Sequence, residues 1–355
     1  MPLSVGPVAT VQDRMTGSRK ARSWLSLLLS GSALLAGCEM VVLQPSGHIA
    51  AQQANLLLIS TMLMLLIIVP VIVLTLVFAW RYRASNTDAP YTPDWDHSIQ
   101  LELLIWSVPL LIIIALGALT WIGTHTLDPY RPLDVRSAPR DFEPLDIQVV
   151  ALDWKWLFIY PQQGIAVVNE FAAPVDVPVR FSITSSSVMN SFFIPALAGQ
   201  IYAMPTMETK LHAVINRPGE YEGFSANYSG AGFSNMRFKF FGMSSGDFER
   251  WVQNVKASGQ ALSRDGYIQL ERPSERDPVR RYGTVAPGLF DAVVNRCVDP
   301  TAKCLHEIML SDMRRASAAA GMGTSVALLK WQPDALVCSA RNPAGTASLP
   351  FTYRN

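Results

Sequence analysis

The chain has 355 residues, 50% of them hydrophobic and only 16% charged, with a mean hydropathy of +0.21. Soluble domains carry about 25% charged residues, so part of this chain belongs in lipid. Lys and Arg total 29 against 28 Asp and Glu, a net charge of +1. That balance excludes the basic footprint of a nucleic-acid binder and the composition of a disordered polyelectrolyte. Four cysteines are too few for a disulfide scaffold.

Arg14, Arg19, Lys20 and Arg22 form a positive start, and Trp24 to Leu35 follows as an apolar stretch too short to cross a bilayer. Small residues then precede a cysteine in Leu35-Ala36-Gly37-Cys38. This pattern describes a secretory signal over residues 1–37, with Met15 as an alternative start. The cysteine after Ala-Gly resembles the lipobox of a bacterial lipoprotein, which implies lipidation at Cys38. An ordinary signal peptide with an incidental cysteine is the plainer alternative.

After an N-terminal segment over 38–55, Leu56 to Trp80 runs 25 residues without a charge, enough to cross the hydrocarbon core. Pro70 inside it is tolerable in a membrane helix. A second uncharged run, Leu103 to Thr124, has Trp106 and Trp121 near its ends; the predicted spans are 56–80 and 99–124. The loop 81–98 carries Arg81 and Arg83 against the membrane, and the positive-inside rule places it in the cytoplasm. Everything before the first span and after the second then lies outside.

Beyond a linker over 125–145, the period changes to two. Val150, Leu152, Trp154, Trp156, Phe158 and Tyr160 read as one face, with Asp153 and Lys155 on the other. Val179, Phe181 and Ile183 alternate with Arg180, Ser182 and Thr184. Leu211, Ala213 and Ile215 alternate with Lys210 and His212 and stop at Pro218-Gly219. Alternating runs broken by Pro/Gly turns predict an antiparallel sandwich or barrel over 146–243. In the extension 244–355, Phe248, Trp251, Val252 and Val255 sit at helical spacing, a Pro/Arg-rich stretch follows, and Leu289 to Val294 is again apolar-periodic.

Two spans leading into an extracytoplasmic sandwich resemble subunit II of the haem-copper terminal oxidases. Asp153-Trp154-Lys155-Trp156 is similar to that family's aromatic strand. The run from Val188 to Pro195 is similar to the loop supplying its first copper histidine. Residues 223–236, Gly-Phe-Ser-Ala-Asn-Tyr-Ser-Gly-Ala-Gly-Phe-Ser-Asn-Met, match without a gap the loop that holds the rest of the binuclear copper centre, Cys-x-Glu-x-Cys-x-x-x-His-x-x-Met. The ligands themselves are replaced. Asn190 stands for the first histidine, Ser225 and Ser229 for the bridging cysteines, Asn227 for the glutamate and Phe233 for the second histidine. Only Met236 remains, either as a residual ligand type or as core packing. Soft thiolate and imidazole ligands select copper, and serine hydroxyls do not ionise near neutral pH to replace them.

Within the superfamily, Ile159 to Glu170, Gln200 to Met204, Phe78 to Asn86 and the lipobox resemble the cytochrome bo-type ubiquinol oxidases. The likeness runs from Cys38 to about Val294. It implies a two-helix transmembrane hairpin, then an all-β cupredoxin-like sandwich lacking copper ligands, then a mostly helical or irregular extension. It implies an accessory, non-catalytic subunit of a proton-pumping enzyme that passes electrons from ubiquinol to oxygen. Haems, copper and ubiquinol would sit in partner subunit I, with no metal or other cofactor in this chain. The implied setting is the bacterial inner membrane, with the lipidated start and C-terminal domain on the periplasmic side. Implied partners are subunit I, further membrane subunits and the phospholipid bilayer.

Glu102 matches the family glutamate at the entrance of a proton channel into subunit I, where a titratable group must meet protons leaving water. The plain alternative is a helix-start carboxylate favoured by the macrodipole, with Ser98 as cap. Trp154 and Trp156 serve electron entry in copper-bearing relatives; without copper they read as core. His48, His97, His125, His212 and His306 are scattered without metal spacing, His212 on a polar, solvated strand face. Cys297 and Cys304, with six residues between them, suit a disulfide in an oxidising compartment, leaving Cys338 over. Two rival readings are a cytochrome c oxidase subunit II with an electron-transfer role and a stand-alone lipoprotein with a ligand-binding sandwich. The first fits poorly with 11 Asp and Glu to 8 Lys and Arg between Arg140 and Arg250, no pronounced acidic surface for a basic cytochrome.

Overall fold

In a computed structural model, residues 40–90, 92, 94–133 and 144–319 are described. Two compact units are distinguished, one up to Asp299 and one from Pro300. The signal over 1–37, Cys38 and Cys338 lie outside the described residues.

Helix α1 spans His48–Arg81 and α2 spans Ile99–Thr126. Both are long and apolar enough to cross a membrane. Both are apolar on all sides, as lipid-embedded helices are, and most of their large side chains are exposed. They meet near the sandwich end, where Gly123 of α2 leaves room for Leu56 of α1: a Cβ there would lie 2.5 Å from the leucine Cδ1. Helix α1 starts eight residues before the uncharged run. Its first turns are built into the sandwich instead, with Ile49, Ala50 and Ala54 buried.

The sandwich has two sheets. Its strands are β1 (Leu145–Leu152), β2 (Lys155–Tyr160), β3 (Ile165–Val168), β4 (Glu170–Pro174), β5 (Val179–Ser185), β6 (Asn190–Phe193), β7 (Ile201–Ala203), β8 (Thr209–Ala213), β9 (Gly219–Ser225) and β10 (Arg237–Met243). One sheet runs β3-β2-β1-β5-β8 and the other β4-β10-β9-β6-β7. Neighbours are antiparallel except β1 with β5 and β4 with β10, which are parallel. Aromatic rings stack on one another between the sheets among aliphatic side chains. Phe171 stacks on Phe240 at 4.4 Å and Phe192 on Phe238 at 5.3 Å.

The segment read as one alternating run from Val150 to Tyr160 is a hairpin. Leu152 pairs with Lys155, and only Asp153 and Trp154 lie between β1 and β2. A two-residue turn reverses the parity of the strand. Val149 and Ala151 therefore share the inter-sheet core with Trp156, Phe158 and Tyr160. Val150 and Leu152 share the opposite face with Leu157 and Ile159, in a second core. The expectation of one common face for 150 to 160 fails for that reason.

The second core exists because the chain beyond Met243 folds back. Helix α3 (Ser245–Lys256) opens with the Ser244 hydroxyl accepting from the Asp247 N–H and buries Phe248, Val252 and Val255 against the first core; the segments after it cover the second. Then come β11 (Ala261–Leu262), α4 (Arg264–Glu271), β12 (Arg280–Tyr282), β13 (Thr284–Val285) and α5 (Leu289–Val294). Strand β12 joins β3, so this arm adds a sixth strand to the first sheet. In the second unit, α6 spans Leu305–Ala319.

Lys155, expected on a polar outer face, is 1% exposed. The arm covers it. Its ammonium donates to the Asp153 and Arg272 carbonyls and to the Ser274 hydroxyl, and lies 3.3 Å from the Asp277 carboxylate. Burial lowers the Lys155 pKa, an effect that Asp277 opposes. For Asp277, burial acts to raise the pKa. Hydrogen bonding from Ser274 and the charges of Lys155 and Arg280 outweigh it and hold the carboxyl below its ordinary value.

Removing one member of a buried pair strands the other charge and costs about 3–5 kcal/mol. Lys155→Met should lower unfolding stability by about that amount, and Asp277→Asn made on top of it should recover part of the loss; a chemical-denaturation double-mutant cycle measures both. Because the folded carboxyl is held below its unfolded value, its contribution is full above about pH 4 and is lost as pH falls through the folded value. Tm should therefore fall more steeply in acid for the natural chain than for Asp277→Asn.

Candidate functional site

The positions matched to copper ligands lie at one end of the sandwich. Strand β9 ends at Ser225 and β10 begins at Arg237, so residues 226–236 form the loop of an antiparallel pair. Its base is closed by the Ser225 N–H donating to the Met236 carbonyl at 3.1 Å. Asn190 opens β6, whose Phe192 pairs with Ser225. The topology thus brings Asn190 beside the loop from 35 residues upstream.

There the side chains hydrogen-bond to one another. The Ser225 hydroxyl donates to Asn190 Oδ1 at 3.1 Å and lies 3.3 Å from the Asn227 carbonyl. Asn190 Nδ2 donates to the Val188 carbonyl at 3.1 Å, and Asn227 Nδ2 to the Met189 and Tyr228 carbonyls. Asn190 and Ser225 are buried. The other positions are used differently. Phe233 packs edge-on against Tyr228 at 5.7 Å. Met236 is buried in the inter-sheet core. Ser229 presents its carbonyl to the Trp154 indole N–H at 2.8 Å, while its buried hydroxyl has no hydrogen-bond partner.

Trp154 and Trp156 are separated by the parity reversal. Trp156 is fully buried, edge-on to Phe192 and Phe238 at 5.4 and 5.6 Å. Its backbone N–H donates to Asn169 Oδ1, and Asn169 Nδ2 reaches the Asp277 carbonyl in the arm. Trp154 lies half-buried against the loop. A Cβ at Gly232 would sit 2.5 Å from Trp154 Cδ2, so that glycine is the condition for the contact.

The donor set at these positions is two amides and two hydroxyls, with a phenyl ring and a buried thioether. It contains no thiolate and no imidazole, the ligand types that select copper. Among the described residues no three His, Cys, Asp or Glu side chains gather as a metal site.

Glu102 stands apart from this loop. It lies in the first turn of α2, 24 residues before Thr126, about 36 Å along the helix axis. Its carboxylate is 2.7 Å from His97 Nδ1, both side chains half-exposed. Ser98 occupies the N-cap position, but its hydroxyl makes no capping bond; its carbonyl accepts from the Glu102 N–H at 3.0 Å. His97 is a partner the sequence reading did not assign, although its place five residues ahead of Glu102 was visible.

The other histidines stay scattered. His48 meets Gln52 at 2.7 Å, and His125 meets the Trp121 carbonyl at 2.8 Å. His306 is exposed. His212 is half-buried rather than solvated, its Nδ1 3.1 Å from the Pro129 carbonyl. The chain leaving α2 covers it, and burial lowers its pKa. Cys297 and Cys304 are each disulfide-bonded.

Comparison with known proteins gives the same assignment as the loop. A family model described as "Cytochrome C oxidase subunit II, periplasmic domain" matches residues 141–240, and one described as "COX Aromatic Rich Motif" matches 256–301. The chain is 52% identical over 282 residues to "Cytochrome bo(3) ubiquinol oxidase subunit 2" of Pseudomonas putida, covering 79% of this chain and 88% of the relative. It is 51% identical over 266 residues to "Ubiquinol oxidase subunit 2" of Acetobacter aceti, covering 75% and 85%. A more distant relative is "Quinol oxidase subunit 2" of Bacillus cereus, 36% identical over 260 residues, covering 72% of this chain and 88% of that one. The chain belongs to the quinol oxidase subunit 2 family. It is a membrane protein, and its sandwich is the cupredoxin-like domain of that family. The aromatic-rich motif of this subunit corresponds to the arm that buries Lys155 and completes the first sheet.

The Trp154 contact gives a direct test. Gly232→Ala should displace the indole and cost about 1–3 kcal/mol, as overpacking does, with a red shift in tryptophan fluorescence. In a Trp154→Ala background the same change should cost little, because the two positions act on one contact.

Proposed function

We propose that this subunit carries no redox centre and serves a proton-pumping ubiquinol oxidase by anchoring, assembly and proton entry. One observation supports the first part above all. Of the positions that would bridge and flank copper, Ser225 and Asn190 are joined by a hydrogen bond, and apart from the Met236 thioether, which is buried in the core, the set offers only hard, neutral donors. The donor set does not fit a binuclear copper centre, and no electron step is assigned to this chain. Electrons from ubiquinol would then reach oxygen through the haems and copper of subunit I alone.

On this reading the hairpin holds the sandwich at the periplasmic surface of the bacterial inner membrane, with lipid on Cys38 as a further anchor. Arg81 and Arg83 keep the loop between the helices in the cytoplasm. Glu102 then stands at the cytoplasmic edge, where protons leave water for a path into subunit I. His97 at 2.7 Å supplies a second proton-binding group at that mouth. The exposed Val188, Met189 and Tyr228 beside the loop give an apolar end for contact with other oxidase subunits.

Glu102→Gln should slow ubiquinol-driven oxygen reduction by about a hundredfold, the low end of what losing a proton-transferring side chain costs, with haem spectra unchanged. Full turnover with normal proton pumping in that variant would remove Glu102 from the proton path. Metal analysis of the complex purified through this chain should find copper matching subunit I only. Purple, copper-dependent absorption arising from the sandwich would overturn the redox-silent reading.

A further inference from the structure

A cavity of about 310 Å³ opens where the two helices enter the sandwich. Its walls come from the first turns of α1, the chain leaving α2, and the loop and strand around Gln200 and His212. None of these groups belongs to the degenerate copper loop or to the Glu102 end.

Its depth is set by the sequence. The apolar runs begin at Leu56 and end at Thr124. Gln52 and Gln53 therefore stand about 5 Å outside the hydrocarbon, one helical turn. A bilayer's headgroup layer occupies about 5–7 Å on each side of its core. The cavity sits in that layer.

Its lining matches the layer's chemistry. The apolar part of its lining includes Ile49, Leu127 and Leu211. The polar part offers Gln52, Gln53 and Gln200 together with one cation, Arg131, and one anion, Asp128. The Gln200 oxygen accepts from the Ser191 hydroxyl at 3.2 Å, which leaves its NH2 as the donor end. Asp128 accepts from the Tyr130 N–H, yet a carboxylate has further lone pairs, and a guanidinium has five donors to distribute. His212 directs Nδ1 to the Pro129 carbonyl, an acceptor, so Nδ1 holds the proton and a neutral ring keeps Nε2 as an acceptor.

One cation with amide donors suits a phosphodiester; one carboxylate with an imidazole acceptor suits a primary ammonium. We propose that this cavity binds the headgroup of a zwitterionic phospholipid of the ethanolamine type. The phosphate would lie toward Arg131 and the glutamines, the ammonium toward Asp128 and His212. The bound lipid would fill the joint between the hairpin and the sandwich. The proposal rests on both helices crossing the membrane and not on the oxidase function.

The test places the purified complex in nanodiscs containing phosphatidylethanolamine with a photoreactive group near the phosphate, and maps labelled peptides by mass spectrometry. Labelling should fall on peptides containing 48–53 and 126–133 and be competed by unlabelled phosphatidylethanolamine. Equimolar phosphatidylglycerol or inorganic phosphate should not compete. Gln52→Leu with Arg131→Ala should lower labelling there by about tenfold, equivalent to ~1.4 kcal/mol. Gln200→Leu, which removes no charge, should lower it in the same direction if the double variant assembles poorly. Unlabelled cavity peptides in an intact complex would overturn the proposal, as would competition by phosphate alone or by ubiquinone. Loss of haem from the complex would count against the oxidase reading and leave the lipid result standing.

Discussion

The two-residue turn at Asp153-Trp154 constrains more of this subunit than any other feature. By pairing Leu152 with Lys155, it sends Trp156, Phe158 and Tyr160 into the space between the sheets and Lys155 to the opposite face. It also leaves Trp154 at the end of the sandwich, against Gly232 and the Ser229 carbonyl. Three jobs follow from one reversal of parity: filling the main core, anchoring the arm and supporting the loop. A register shift of one residue would exchange the faces, burying Lys155 among phenylalanines with no carboxylate in reach.

The arm is the physical consequence of that exposed second face. Val150, Leu152, Leu157 and Ile159 are too apolar to face water, and a sheet apolar on both sides must be covered on both. Helices α4 and α5 supply Tyr267, Leu270, Leu289 and Phe290 against them. A buried ammonium then has to be matched, since an unpaired charge there costs several kcal/mol. Asp277 and three neutral oxygens do so. The same segment places Asp277's carbonyl on Asn169, which holds the Trp156 backbone. The arm thereby reaches the core through polar contacts as well as apolar ones.

Much of this architecture was legible in the residues. The uncharged runs located both membrane helices, and the Phe248–Val255 and Leu289–Val294 periodicities became α3 and α5. The loop over 223–236 was located by spacing, and Asn190, Ser225 and Asn227 do come together. What was not legible depends on pairing between distant segments. Strict alternation from 150 to 160 looks the same for one long strand as for a hairpin whose turn carries an aromatic and an acid. The burial of Lys155 depends on residues more than 115 positions away. His212 reads as a polar strand position until the chain leaving α2 is laid across it. The early start of α1 was hidden because His48 to Asn55 carries polar residues that face the sandwich joint rather than lipid.

That joint decides how the membrane part and the sandwich act on each other. Gly47 donates to the Ala196 carbonyl, His48 to that of Val214 and Ala50 to that of Leu197. A Cβ at Gly47 would lie 2.5 Å from the Leu197 oxygen, so only glycine permits this approach. Isolated backbone hydrogen bonds contribute about 1 kcal/mol each, but here they fix the first turn of a 34-residue helix to one face of a packed domain. The sandwich is therefore set in orientation by the hairpin, not tethered to it by a free linker.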